Sequence, residues 1–166
     1  MGKNNSEFVF NLIAPVYGLF YHKQKARFTQ VIQGIQPQLD LQTYTTLLDV
    51  GCGTGALCSV LHSMGLTVTG IDPAEKMLFT AQKNPENEGI TFLNANATEG
   101  LPFTDKQFDV SIASYVAHGM GAQERQRLYA EMSRVSKSWV IIYDYNQKRT
   151  PLTSFVEWLE RGDYFH

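Results

Sequence analysis

The sequence predicts an α/β fold on a doubly wound parallel sheet with helices on both faces. Short β-branched runs recur at Thr45–Val50, Leu66–Ile71, Ile90–Asn94, Phe108–Ser114 and Ser138–Asp144. Each of the first four is followed by a segment long enough to cross over to a parallel neighbour. Several runs are continuously apolar rather than alternating, the pattern of strands covered on both sides.

Composition sets the outer limits. The chain has 166 residues, 43% hydrophobic and 18% charged, with a formal charge of −2. That is one domain's length and an ordinary globular balance. The mildly acidic balance gives no footprint for a phosphate backbone, so no nucleic-acid partner is expected. Two cysteines, Cys52 and Cys58, make neither a disulfide framework nor a metal cage. No apolar run approaches the ~20 residues of a membrane span, so no membrane partner is expected. The start, Met1-Gly2-Lys3-Asn4-Asn5-Ser6, lacks a signal-peptide core. It matches only the loose Gly2…Ser6 acylation pattern, which many unmodified chains share. A cytoplasmic protein is expected.

The elements follow in order. Residues 1–44 read as a helical cap: Phe8–Ile13, a break at Pro15, then a helix from Tyr17 to about Gln33, with Gly34 and Pro37 at its exit. Its basic cluster Lys23, Lys25 and Arg27 reads as a solvated face. Residues 45–145 form the core. After the first strand, Leu57, Val60, Leu61 and Met64 make a helical stripe that Gly65 stops. Asp72-Pro73 is an N-cap candidate with proline at the first helical position, ahead of Met77, Leu78 and Ala81. That helix should end before Asn84-Pro85. A third helix spans about Ala122 to Val135, with Leu128, Met132 and Val135 inward and Arg125 and Arg127 outward. Residues 146–166 read as a last helix, begun by Thr150-Pro151 and striped by Leu152, Phe155, Val156 and Leu159.

The sharpest local signal is Leu47-Leu48-Asp49-Val50-Gly51-Cys52-Gly53-Thr54-Gly55-Ala56, an apolar strand running through a glycine turn into an amphipathic helix. Three glycines in five positions exceed what a tight turn needs and imply close approach of a ligand. Gly51, Gly53 and Ala56 satisfy the dinucleotide pattern, and Asp72 stands 21 residues after Gly51, where a ribose-binding acid belongs. The same residues read equally as Gly51-x-Gly53-x-Gly55. Asp49 weighs between the two readings. Its charge would repel a pyrophosphate but suits a ligand that carries an ammonium and a sulfonium and no phosphate. S-adenosylmethionine fits that description.

This segment resembles the first motif of the class I S-adenosylmethionine-dependent methyltransferases. The likeness runs on through Val68-Thr69-Gly70-Ile71-Asp72 to Met77, then Ala97-Thr98-Glu99-Gly100-Leu101-Pro102-Phe103 and Phe108-Asp109-Val110-Ser111-Ile112-Ala113-Ser114. It covers roughly residues 45–145. Ile13-Ala14-Pro15-Val16-Tyr17 resembles the N-terminal helix of small-molecule members, including those of quinone biosynthesis. The resemblance implies a Rossmann-like sheet in the order 3-2-1-4-5 and methyl transfer to a small-molecule acceptor. A cofactor-binding module without transfer is the alternative, and a nicotinamide-dependent reductase is a weaker one.

Carried over residue by residue, the resemblance gives Gly51 and Gly53 backbone contact with the methionine part of S-adenosylmethionine, with Asp49 beneath it. Asp72 would hold the ribose hydroxyls and Met77 would border the adenine. Cys52, Pro73 and Ser114 complete the expected lining. Relatives commonly carry an aspartate after the third strand; here the matching residue is Asn96, which keeps an acceptor but loses the charge. Ala97 beside it would leave room for the ring. Cys52 reads as a small residue filling the turn, although a thiol at a helix N-terminus can acidify. Asp109, at the far end of the fourth strand, reads as structural.

The acceptor is expected over the ends of the last two strands, at Ser114-Tyr115 and Asp144-Tyr145. His118 has the best address for a proton acceptor. Tyr17 and His22 are candidates to close over the cofactor, and Asp144 to line the acceptor site. The resemblance also sets an expectation of seven strands, the last two an antiparallel hairpin, against five counted here. The chain therefore reads as truncated. Its apolar fifth strand, Trp139-Val140-Ile141-Ile142-Tyr143, is expected to be covered by the last helix or by a second chain in a homodimer.

Overall fold

Strand β1 (Thr46–Val50) lies at the centre of the sheet because Leu47 through Val50 are apolar or able to be buried, and all four are. The structure, a computed structural model, describes residues 20–144. It adds β2 (Thr67–Asp72), β3 (Thr91–Asn94), β4 (Phe108–Ser114) and β5 (Ser136–Tyr143). They form one sheet in the order β3-β2-β1-β4-β5, every pairing parallel. The expected strand order is present.

Parallel neighbours require crossovers, and these lay helices on both faces. Helix α1 (Tyr21–Ile35) leads in, α2 (Ala56–Ser63) and α3 (Glu75–Lys83) connect β1, β2 and β3, and α4 (Ala122–Val135) connects β4 to β5. Period-two alternation sends Leu47 to one face and Leu48 and Val50 to the other. On the first face Leu47, Val68 and Val110 pack with Leu57 and Leu61 of α2, Leu78 of α3 and Ile32 of α1. On the second, Leu48, Val50 and Ala113 pack with Leu128, Met132 and Val135 of α4. Burying each such side chain is worth about 1.5–3 kcal/mol. Two apolar layers of this kind hold the strand ends in place.

Several boundaries differ from expectation. Helix α3 starts at Glu75 with Ala74 as its cap, so Asp72 is not the N-cap and Pro73 is not the first helical residue. Pro73 fixes the turn between strand and helix instead, while Asp72 accepts the Ala74 N–H at 2.8 Å. α1 continues past Gly34 to Ile35. β5 begins at Ser136, directly after α4, because Ser136 Oγ donates to Met132 O at 2.6 Å and lies within hydrogen-bond distance of Ser111 Oγ, at 2.7 Å. Trp139, Val140 and Ile142 of β5 are exposed. The expected last helix, at 146–166, lies outside the described residues. Among the described residues no helix is long and apolar enough to cross a membrane.

Candidate functional site

The turn after β1 is held from several sides. Gly51 N and Cys52 N both donate to Ile71 O, at 2.8 and 2.9 Å, which pins the turn to β2. Asp72 Oδ2 accepts the Gly53 N–H at 2.9 Å. Gly53 has φ +53°, and a Cβ added there would meet nothing within 4 Å, so its backbone is open on that side. Gly55 is the opposite case: φ is +81°, and a Cβ would stand 2.6 Å from Asn87 Nδ2. That close approach lets Asn87 donate to Thr54 O at 3.1 Å and to Ala81 O at 2.9 Å, while accepting from Tyr21 Oη at 2.8 Å. One buried amide thus joins the turn, α3 and α1.

Asp49, two residues before Gly51, is completely buried. Its Oδ2 accepts from the Cys58 thiol at 3.1 Å, while its Oδ1 has no hydrogen-bond partner. Burial pushes this carboxyl up to about 7; the Cys58 hydrogen bond opposes the shift, and the nearby Asp72 charge adds to it. Leaving such an oxygen unsatisfied costs about 1–3 kcal/mol, a cost that a cationic N–H donor would remove. Cys52 is buried too, and burial pushes its thiol up to about 11. The helix N-terminus does not activate it.

The expected adenine side is assembled at the ends of β2 and β3. Asn94 Nδ2 donates to Pro73 O at 2.9 Å and to Asp72 O at 3.2 Å, joining the two strand ends. Asn96 Oδ1 accepts from Thr98 N at 3.0 Å and Thr98 Oγ1 at 2.9 Å. Its acceptor is thus already engaged in a local turn. Met77 and Ala97 are both buried, Ala97 in the core layer with Leu101 and Phe108. Pro73 is half-buried, and Ser114 ends β4 nearly buried. Asp109, at the other end of β4, accepts from Thr45 N, Thr46 N and Lys137 Nζ at 2.8–3.0 Å. The Lys137 ammonium and these N–H groups hold it well below the usual carboxylate range. It fastens strands, far from the glycine turn.

A second cluster stands at the ends of β4 and β5. His118 Nδ1 lies 2.6 Å from Asp144 Oδ1, and His118 N donates to Asp144 Oδ2 at 3.0 Å. Tyr115 has φ +58°, a strained conformation for a bulky residue. It turns the ring onto Tyr143, 5.1 Å between centroids, with the two hydroxyls 3.1 Å apart. Arg27 of α1 places its guanidinium 5.8 Å from the Tyr115 ring centroid and donates to Tyr143 Oη at 3.4 Å. Val116 packs directly against Gly51, seating the His118 loop on the glycine turn.

His118 and Asp144, separate candidates in the sequence, are therefore partners. His22 is exposed and pairs with Glu86 at 3.4 Å. Tyr17 lies outside the described residues. Sequence reasoning missed Arg27, Tyr143 and Asn87. Arg27 sat in a basic cluster that reads as a solvated face, and nothing local marks Asn87 as a hub. Among the described residues no group of three or more His, Cys, Asp or Glu side chains is arranged to hold a metal.

Comparison with known proteins agrees with this architecture. Residues 48–143 match the methyltransferase domain family. The chain is 31% identical to the phosphatidylethanolamine N-methyltransferase of Cereibacter sphaeroides over 121 residues, 69% of this chain and 58% of that protein. It is 30% identical to the demethylmenaquinone methyltransferase of Shouchella clausii over 138 residues, 77% of this chain and 53% of that one. A crystal structure of a Pyrococcus horikoshii protein superposes with TM-score 0.66 at 25% identity, over 78% of this chain and 59% of that chain. The chain thus spans little more than half the length of these curated relatives. Its glycine turn, strand order and matched domain together place it: the chain belongs to the class I S-adenosylmethionine-dependent methyltransferases.

Proposed function

We propose that this chain binds S-adenosylmethionine at the β1–α2 turn and methylates a small molecule entering over the ends of β4 and β5. The observation that carries the reading is Asp49: a fully buried carboxylate with one unpartnered oxygen, just before a turn whose Gly53 backbone is open. An ammonium group satisfies that oxygen, and a phosphate does not. The residues present therefore fit the cofactor.

Asp49 would face the amino group, with Gly51, Cys52 and Gly53 supplying backbone around the methionine part. A carboxylate has about four acceptor positions, so Asp72 can take ribose hydroxyls while it holds Gly53 N. Pro73, Met77, Asn96, Ala97 and Ser114 would line the adenine side, with Asn96 contributing less because Thr98 already occupies its oxygen. When bound, S-adenosylmethionine supplies an electrophilic methyl group for in-line displacement. The chain's task is positioning, which is worth up to about 7–11 kcal/mol. Tyr17 is proposed to line the same site, and the place of action is proposed to be the cytoplasm.

Similarity does not choose the acceptor, since the two relatives bear names for a lipid amine and a quinone precursor. Titration calorimetry with S-adenosylmethionine, S-adenosylhomocysteine and NAD tests the reading. Binding of the first two is expected. Binding of NAD alone would overturn it. Binding without transfer to any acceptor would favour a module that only holds the cofactor. The exposed flank of β5 is proposed to be covered by residues 146–166 or by a second copy. Sedimentation as a monomer in which Trp139 stays accessible to a fluorescence quencher would contradict that.

A further inference from the structure

We propose that Cys58 is a positioning residue for the methyl donor: its thiol holds one oxygen of Asp49 so that the other is left for the donor's ammonium group. The thiol thereby governs how readily that carboxylate takes a cation. This rests on the reading of the glycine turn as the methyl-donor site and deepens it.

Three elements build the pair. Asp49 shares a strand face with Leu47, the face that α2 covers, and Cys58 of α2 belongs to the same packed layer. On β2, Gly70 stands level with Asp49. A Cβ on Gly70 would lie 2.9 Å from both the Cys52 and the Cys58 sulfurs, so the glycine is what makes room for them. Phe92 closes the same space, 3.0 Å from that point. Cys58 is thus fenced in, with its Sγ 3.1 Å from Asp49 Oδ2. Both residues are completely buried.

Protonation fixes the direction of the bond. Burial, the contact with Cys52 and the Asp49 charge hold the Cys58 thiol well above its ordinary value, so the sulfur keeps its proton and donates it. A carboxylate held by one oxygen no longer turns freely, and Oδ1 has no hydrogen-bond partner among the described residues. A thiol is a weak donor. It steadies the ionised carboxylate and leaves most of the charge for a cationic ligand. Burial raises the Asp49 carboxyl, Cys58 opposes that rise, and the Asp72 charge of β2 adds to it. Cys52, in the turn, is buried and stays protonated. On β4 the residue level with Asp49 is Ile112, which does not titrate.

Loss of the thiol should therefore be felt by a ligand with an ammonium group, and only where Asp49 titrates. Without the hydrogen bond the carboxyl holds its proton more tightly, and the ligand must displace that proton up to a higher pH. A displacement of about one pH unit is about tenfold in affinity on the acid side. Cys58→Ser keeps a donor, and Cys58→Val fills the space without one. The pair separates the bond from the packing.

The test uses the full chain. Carbon-13 NMR of the free protein follows the Asp49 carboxyl. Cys58→Ala and Cys58→Val should raise its titration by about one pH unit, and Cys58→Ser should keep it near the wild-type midpoint. Calorimetry at about pH 6 should show S-adenosylhomocysteine about tenfold weaker in Cys58→Val, with the gap closing by about pH 8.5. Methylthioadenosine, which lacks the ammonium-bearing part, should bind wild type and variant alike. If Cys58→Ala does not fold, Cys58→Val and Cys58→Ser carry both comparisons. An equal loss for the two ligands, or a loss independent of pH, as a merely structural cysteine would give, overturns the proposal. So does an Asp49 titration unmoved by Cys58→Val, or Cys58→Ser behaving as Cys58→Val. If wild type binds no S-adenosylhomocysteine, the donor-site reading itself fails and the proposal with it. Binding with an unmoved titration defeats the role of Cys58 alone.

Discussion

The Asp72 carboxylate accepts the Gly53 N–H at 2.9 Å with one oxygen and the Ala74 N–H at 2.8 Å with the other. A single side chain at the end of β2 therefore shapes both the glycine turn and the entry to α3. Asp72→Ala should cost about 1–3 kcal/mol of stability, because two N–H groups lose their acceptor. It should also weaken S-adenosylhomocysteine binding by about 10–100-fold if the ribose hydroxyls use the same carboxylate. Denaturant unfolding and calorimetry on one preparation separate the two effects. A stability loss with unchanged affinity would assign Asp72 to the turn alone.

Asp49 should make binding of an ammonium-bearing ligand depend on pH. Below about 7 the free protein holds a proton on this carboxyl, and an ammonium-bearing ligand must displace it. Affinity for S-adenosylhomocysteine should therefore fall by up to about tenfold per unit as pH drops below 7, and level off above it. Calorimetry at pH 6 in two buffers of different ionisation heat should report up to one proton released. Asp49→Asn should flatten the dependence. Stability of the unliganded protein should follow the same group with the sign its raised value dictates. The folded state binds the proton more tightly than an unfolded chain with the ordinary 3.8, so stability is highest in acid and is lost from about pH 4 to 7. At about 1.4 kcal/mol per unit the loss amounts to a few kcal/mol, and Asp49→Asn should lack it.

Much of this arrangement is legible in the sequence, and the unreadable part has a physical cause. Continuous apolar runs mark buried strands, and β4 and α4 fall at Phe108–Ser114 and Ala122–Val135 as their patterns indicate. The glycine turn is equally local. Ser136-Lys137-Ser138 looks too polar for a strand, yet β5 starts there because Ser136 bonds across the sheet to Ser111. Asp72-Pro73 looks like a cap, but its carboxylate is also drawn to Gly53, 19 residues earlier. The His118–Asp144 and Tyr21–Asn87 pairs span 26 and 66 residues, and no periodicity encodes such contacts. Local pattern gives the frame and the glycine turn; the cluster of His118, Asp144, Tyr115 and Tyr143 exists only once β4 and β5 are paired.

Asn87 ties that frame together, so its loss should be felt at the turn. Asn87→Ala would strip the buried carbonyls Thr54 O and Ala81 O of a donor and Tyr21 Oη of its acceptor. A cost of about 2–4 kcal/mol is expected. Tyr21→Phe should cost only about 0.5–1.5 kcal/mol, since a single bond goes. Equal effects in denaturant melts would show that Asn87 acts only through α1. A larger effect of Asn87→Ala, with faster hydrogen exchange at the Gly53 and Gly55 amides, would place its main role at the turn.

The two cysteines offer a last check on the turn's environment. Cys52 lies three residues before Gly55, the cap of α2, and Cys58 lies within the first turn of that helix, where a helix N-terminus favours thiolate. Burial outweighs that field. It pushes Cys52 up to about 11 and Cys58 well above its ordinary value, where the Asp49 charge adds to the effect. Neither thiol should react with a chromogenic disulfide at pH 8 in the folded protein, and both should react at once in denaturant. S-adenosylhomocysteine should slow the residual reaction further, because it would cover the turn and suppress local opening. Fast reaction of Cys52 in the native state would mean that the turn opens readily, and Gly53 would then be no fixed cradle for a ligand.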